Sequence, residues 1–131
     1  MSIENSIEQW HRMITERDPS GLSDLLAEDV AFYSPVVHSP QVGKDKTLPY
    51  LIAAFHVFLN DTFRYVREVS GELDAVLEFM VEIDGIEING VDMIKFDETG
   101  KIIEFKVMLR PLKAVNLIHQ KMGEMLARVS S

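Results

Sequence analysis

EINGVDMIKFDETGKIIEFKVML, residues 87–109, decides how this chain folds. Two runs of period two flank the turn-forming Asp97-Glu98-Thr99-Gly100, which predicts two antiparallel strands joined by a short connection. In the first run Ile88, Asp92, Ile94 and Phe96 share one face, and Glu87, Asn89, Lys95 and Asp97 share the other. In the second, Ile103, Phe105, Val107 and Leu109 make a wholly apolar face opposite Glu104, Lys106, Met108 and Arg110. One apolar face predicts one covered face, and Asp92 is the carboxyl that falls on it.

Upstream, TFRYVREV (62–69) and AVLEFMVEID (75–84) keep the same period and are separated by GELD and DGIE. Four strands therefore follow one another as a meander. The N-terminal half changes to helical spacing. Ile3, Ile7, Trp10, Met13 and Ile14 form one side of a helix from Ile3 to Arg17, which Asp18-Pro19 ends. A short second helix is expected from Ser20, with Leu22, Leu25 and Leu26 inward, followed by a strand from Val30 to Ser34. The prolines and glycine of SPVVHSPQVG (34–43) predict an irregular loop, which places His38 on a connection. Helices are predicted again over Lys44–Leu59 and Leu112–Val129.

The chain has 131 residues, 47% of them hydrophobic, so the expectation is one domain over residues 1–131 with a substantial core. It has no cysteine, and the N-terminus lacks the basic start and apolar run of a signal peptide, which together lead to a cytoplasmic expectation. No apolar run approaches membrane-spanning length, so no membrane association is expected. A net charge of −8 repels phosphate backbones, so nucleic acid is not an expected partner. Glycine-rich phosphate loops, nucleophile elbows and zinc-ligand motifs are missing, and His11, His56 and His119 lack a second ligand at metal spacing; no metal or cofactor is expected.

The order of elements, helices first, one early strand, a third helix and then a meander, resembles the nuclear transport factor 2-like superfamily, which includes SnoaL-like proteins and ketosteroid isomerases. VDMIKFDETGKI (91–102) is similar to an isomerase segment that carries a functional aspartate, and AEDVAFYSPVVHSPQVGK (27–44) resembles the approach to that family's third helix. The resemblance implies an α+β fold in which a cone-shaped, curved antiparallel sheet is wrapped by N-terminal helices and closed by a C-terminal helix, as one SnoaL-like domain. It also implies a homodimer through the outer sheet face, where Val66, Met80, Met93 and Met108 would supply apolar contact.

The resemblance places the isomerase's oxyanion-binding aspartate on Asp92, its helix-borne tyrosine on Trp10 and its proton-shuttling aspartate on Ser34. An indole is a far weaker acid than a phenol, and an unassisted serine is not a base near neutral pH. Ketosteroid isomerisation is therefore not expected. SnoaL-like cyclases and limonene epoxide hydrolases carry acids on the late strands, whereas Phe105–Lys113 contains none.

The candidate catalytic residues are Asp92, His38 and Ser34. Asp92 is either a neutral hydrogen-bond donor in a pocket or a structural carboxylate with a local partner, and His38 is either a base at the cone mouth or a solvated loop histidine. Trp10, Met13, Phe55, Phe79, Phe105 and Leu109 are the candidate ligand-binding residues, with core filling as the alternative for each. Two functions are compatible with this reading. One is a pocket protein that binds a small apolar, cyclic or acyclic molecule and performs acid–base chemistry of isomerase or cyclase type. The other is a non-catalytic ligand-binding or dimeric assembly module with a filled cone.

Overall fold

The structure is a computed structural model that describes residues 3–129. Helix α1 spans Glu4–Glu16 and turns off at Arg17, whose left-handed backbone (φ 54°) places its N–H on the Met13 and Ile14 carbonyls. A 3-10 turn at Pro19–Gly21 leads into the single-turn helix α2, Leu22–Leu25. Strands β1 (Leu26–Tyr33) and β2 (Gln41–Val42) follow, then helix α3 (Lys44–Phe58). The meander is β3 (Arg64–Ser70), β4 (Asp74–Ile83), β5 (Ile86–Phe96) and β6 (Ile102–Arg110), and α4 (Leu112–Val129) closes the chain.

The six strands form one curved, unclosed sheet in the order β2-β1-β6-β5-β4-β3. Within the meander every pairing is antiparallel, as its short turns require. Strand β1 lies parallel to β6, so the sheet is mixed rather than wholly antiparallel. Two expectations about its edge need correction. β1 begins at Leu26, four residues before Val30, because Leu26 pairs with Ile102 instead of extending the short helix. The loop 34–43 is not wholly irregular, since Gln41 and Val42 pair antiparallel with Phe32 and Ala31.

Gly43, at φ 101°, makes the turn that reverses the chain into α3, a conformation a side chain would oppose. Its N–H donates to the Val30 carbonyl at 2.7 Å, and the buried Thr47 hydroxyl donates back to Gln41 O at 3.1 Å.

Helices α1 and α3 cover the concave face. Trp10, Leu51 and Phe55 pack on Phe32, Phe105 and Leu77 in one core cluster. Phe58, Phe79, Ile83 and Ile88 form a second cluster with Ala114 and Ile118 of α4. Polar contacts fix α1 along its length: Ser6 Oγ donates to the Gly100 carbonyl at 2.6 Å, His11 meets Glu68 at 2.7 Å, and Arg17 pairs with Asp61.

Within the meander, bulges alter the strict alternation at two places. Phe96 pairs with Ile102 and Lys95 with Glu104, so Ile103 is the extra residue; Ile102, not Ile103, is fully buried. Val66 is likewise skipped between the Tyr65–Phe79 and Arg67–Glu78 pairs, which turns Tyr65 inward beside Phe79 and leaves Val66 exposed.

Gly90 sits where β5 crosses beneath Phe79 and Leu109. A methyl group there would lie 2.3 Å from Phe79 Cζ and 2.8 Å from Leu109 Cδ2. Phe79 is packed against Phe58 and Phe63, which restrict its retreat. Gly90→Ala is therefore expected to lower stability by about 1–3 kcal/mol, read as a fall in the denaturant midpoint at unchanged slope. A midpoint equal to the parent's would show that the ring yields freely.

Candidate functional site

Between α1, α3 and the concave face lies a cavity of about 50 Å³. Its walls are mostly aromatic, including Trp10, Phe55, Phe58, Phe63, Phe79 and Phe105, and its polar groups are contributed by Trp10, Tyr65 and Asp92. Asp92 reaches it because β5 alternates without interruption through Ile88, Asp92 and Ile94, all inward and buried. Tyr65 reaches it because the β3 bulge preserves its inward direction.

The three polar groups form a chain. Trp10 Nε1–H donates to Tyr65 Oη at 2.9 Å, and the Tyr65 hydroxyl donates to Asp92 Oδ2 at 2.7 Å. Burial raises the Asp92 carboxyl to about 7, against a smaller lowering by the Tyr65 hydrogen bond. Burial, and then the nearby Asp92 charge, push the Tyr65 phenol well above its usual range. With Asp92 protonated, the donors run in one direction: indole to phenol to carboxyl, and from the carboxyl O–H to any acceptor in the cavity. Successive donors polarise one another in a low-dielectric setting.

Residues 7–105 match the SnoaL-like domain family. The chain belongs to that family. Among solved structures, a protein described as a steroid delta-isomerase from Pseudomonas aeruginosa shares 36% identity at a TM-score of 0.92, over 97% of this chain and 93% of that one. An uncharacterised bacterial protein with a cystatin-like fold from Silicibacter pomeroyi shares 33% identity at a TM-score of 0.83, over 95% and 85% of the two chains. SalBIII, described as an epoxide hydrolase/cyclase-like enzyme of pyran ring formation in salinomycin, matches at 14% identity and a TM-score of 0.65, over 82% and 90%, a likeness of fold alone. No protein of curated function matches the sequence.

In this SnoaL-like chain, Asp92, Trp10, Phe55, Phe79 and Phe105 converge on one cavity. Met13 is buried in the core and Leu109 packs in the second cluster, and neither lines the cavity. Ser34 and His38 are not brought to Asp92. They line a surface depression beyond β1 with Pro35, Lys106 and Met108, and that depression has only Val107 in common with the cavity. Ser34 Oγ accepts the Val36 N–H at 3.1 Å, and His38 is exposed.

The partner of Asp92 is Tyr65, which sequence reasoning missed; its inward parity with Phe63 in TFRYVREV was the available signal. His11 also has a place that helical spacing did not reveal. Its ring meets Tyr65 edge-on at 5.5 Å, with Glu68 on its Nε2. Among the described residues, no group of His, Asp or Glu has the arrangement of a metal site.

A carboxyl raised on folding from an ordinary 3.8 to about 7 makes the folded state the stronger proton binder between those values. Stability attributable to Asp92 is therefore greatest at low pH and declines as pH rises toward 7, by an amount on the order of 4 kcal/mol at most. Asp92→Asn keeps an acceptor for Tyr65 and removes the ionisation. The variant is expected to melt several degrees above the parent at pH 8, and the gap should narrow toward pH 4–5. A constant gap across this range would refute a buried, raised carboxyl.

Proposed function

We propose that the cavity takes a small, largely apolar molecule carrying one hydrogen-bond-accepting oxygen, which neutral Asp92 polarises at the end of the Trp10–Tyr65 donor chain. The observation that carries this reading is the directed Trp10–Tyr65–Asp92 chain in an otherwise apolar wall. An apolar pocket with a few convergent polar groups and a perturbed carboxyl is a default ligand site. Near neutrality Asp92 is divided between its acid and its base form, as acid–base chemistry of isomerase or cyclase type requires. Membership of the SnoaL-like family and the likeness to a protein described as a steroid delta-isomerase support the reaction class.

Ketosteroid isomerisation itself is not part of the reading. Asp92 is the one carboxyl in the cavity wall, and Ser34 stands outside it, bonded to backbone. A cavity of about 50 Å³ is roughly a third of the ~150 Å³ that takes a benzene ring, far short of a steroid nucleus. A Δ5-3-ketosteroid assay is expected to show no turnover approaching about 1 per second. Turnover at that level would demand both a wider cavity and a second proton carrier.

A small ketone tests the positive claim. The resonance of the Trp10 indole N–H, from the chain's one tryptophan, should move on titration with propanone. Donation requires the Asp92 proton, present in about nine-tenths of molecules at pH 6 and about one-tenth at pH 8 for a group near 7. Affinity should fall about ten-fold across that interval in the parent and stay constant in Asp92→Asn, whose amide does not titrate. Equal affinity at the two pH values would exclude the neutral-donor role.

A second reading is favoured by the outer face of the sheet. Val69, Val76 and Met93 lie side by side across β3, β4 and β5, with Met108 in the neighbouring row, all exposed. Apolar area of this kind suits a two-fold interface, and a tightly filled cone suits a module whose role is assembly. Light scattering at micromolar concentration should give about twice 14.9 kDa, and a clean monomer mass would remove this reading.

A further inference from the structure

Outside the cavity lies a second space of about 360 Å³, between α1 and the loop that leads into β3. Ile14, Leu59, Phe63 and Tyr65 line both spaces, so the two adjoin. Tyr65 spans the boundary, with its hydroxyl on Asp92 inside and its ring against His11. The outer space is polar where the inner is not: its wall includes His11, Arg17, Asn60, Asp61 and Arg64.

The charges there are unevenly satisfied. Arg17 is paired with Asp61, and His11 with Glu68. Arg64 takes part in none of the described ion pairs; its Nη1 donates to the Thr62 carbonyl at 3.0 Å. Arg64 is exposed and lines the outer space, not the cavity, and a guanidinium outside the described ion pairs is a local exception on a chain of net charge −8 that otherwise repels anions. Its planar fork matches a carboxylate.

We infer that the two spaces form one site for a short oxo acid, with the ketone end in the cavity on Asp92 and the carboxylate in the vestibule on Arg64. This rests on the proposed role of the cavity and adds the substrate class. The shared walls support it, because a ligand longer than the cavity would extend past Ile14, Leu59, Phe63 and Tyr65 toward the polar space. Charge limits it to a monoanion, since the surrounding negative field costs a dianion more.

Three probes of matched length separate the parts: 4-oxopentanoate, 2-pentanone and pentanoate, titrated at pH 6 and low salt with the Trp10 indole N–H as reporter. At pH 6 the probes' carboxylates are ionised and Asp92 is mostly protonated. The oxo acid should bind about ten-fold more tightly than 2-pentanone, and pentanoate more weakly than the oxo acid. Arg64→Gln should bring the oxo acid down to the ketone, Arg64→Lys should restore part of the difference, and 0.5 M salt should shrink it. Asp92→Asn, whose amide can still donate, should change the affinities of oxo acid and ketone by a similar factor and leave their ratio unchanged.

Equal binding of oxo acid and ketone in the parent, or an undiminished ratio in Arg64→Gln, would overturn the anion subsite while leaving the cavity reading intact. Pentanoate binding as tightly as 4-oxopentanoate would overturn the requirement for a ketone. If propanone leaves the indole resonance unmoved, the cavity reading fails and this inference fails with it.

Discussion

A carboxyl group enclosed by phenyl rings must be neutral, paired, or both, and Asp92 meets that constraint by drawing on two other elements. Tyr65 from β3 donates to it, and Trp10 from α1 donates to Tyr65. The chain therefore joins the middle of the sheet, its far strand and the covering helix through three side chains. α1 is held elsewhere by the buried Ser6 on the Gly100 carbonyl and by exposed pairs at His11 and Arg17. Exposed ion pairs contribute little, so the indole–phenol–carboxyl chain and the Ser6 bond are the polar contacts that most restrict how α1 sits over the cone.

The same chain explains why the cavity is small. Trp10 must approach within 2.9 Å of Tyr65, which carries the indole into the cone and against Phe55 and Phe105 at ring-centroid separations of 5.6 and 5.2 Å. An indole is larger than a phenol, and here it takes volume that a bulky ligand would need.

Much of this was legible in the sequence, and the rest was hidden for physical reasons. β5 has no bulge, so its alternation placed Asp92 on the buried face correctly. β6 carries a bulge at Ile103, which no local pattern announces, so alternation named the wrong isoleucine as buried. Tyr65 and Asp92 are 27 residues apart and Trp10 and Tyr65 are 55 apart; their meeting depends on sheet order and helix placement, which periodicity does not encode. Ser34 was grouped with Asp92 through resemblance and His38 through its imidazole and loop position, but the loop beyond β1 lies in a surface depression with Lys106 and Met108 of β6, apart from Asp92.

Burying Asp92 is unfavourable near neutral pH, where ionisation works against the fold and an asparagine or a leucine would not. A structural role alone is poorly served by such a residue, because the Tyr65 hydroxyl needs only an acceptor, which an asparagine provides without charge. What an asparagine side chain cannot do is titrate: it offers no proton that can be given up and recovered near pH 7. The feature specific to the carboxyl at this position is therefore its proton, held at the end of two aligned donors beside an apolar space. On the proposed function, the protonation state of this one residue gives the cavity two characters, a donor below about pH 7 and an acceptor above it.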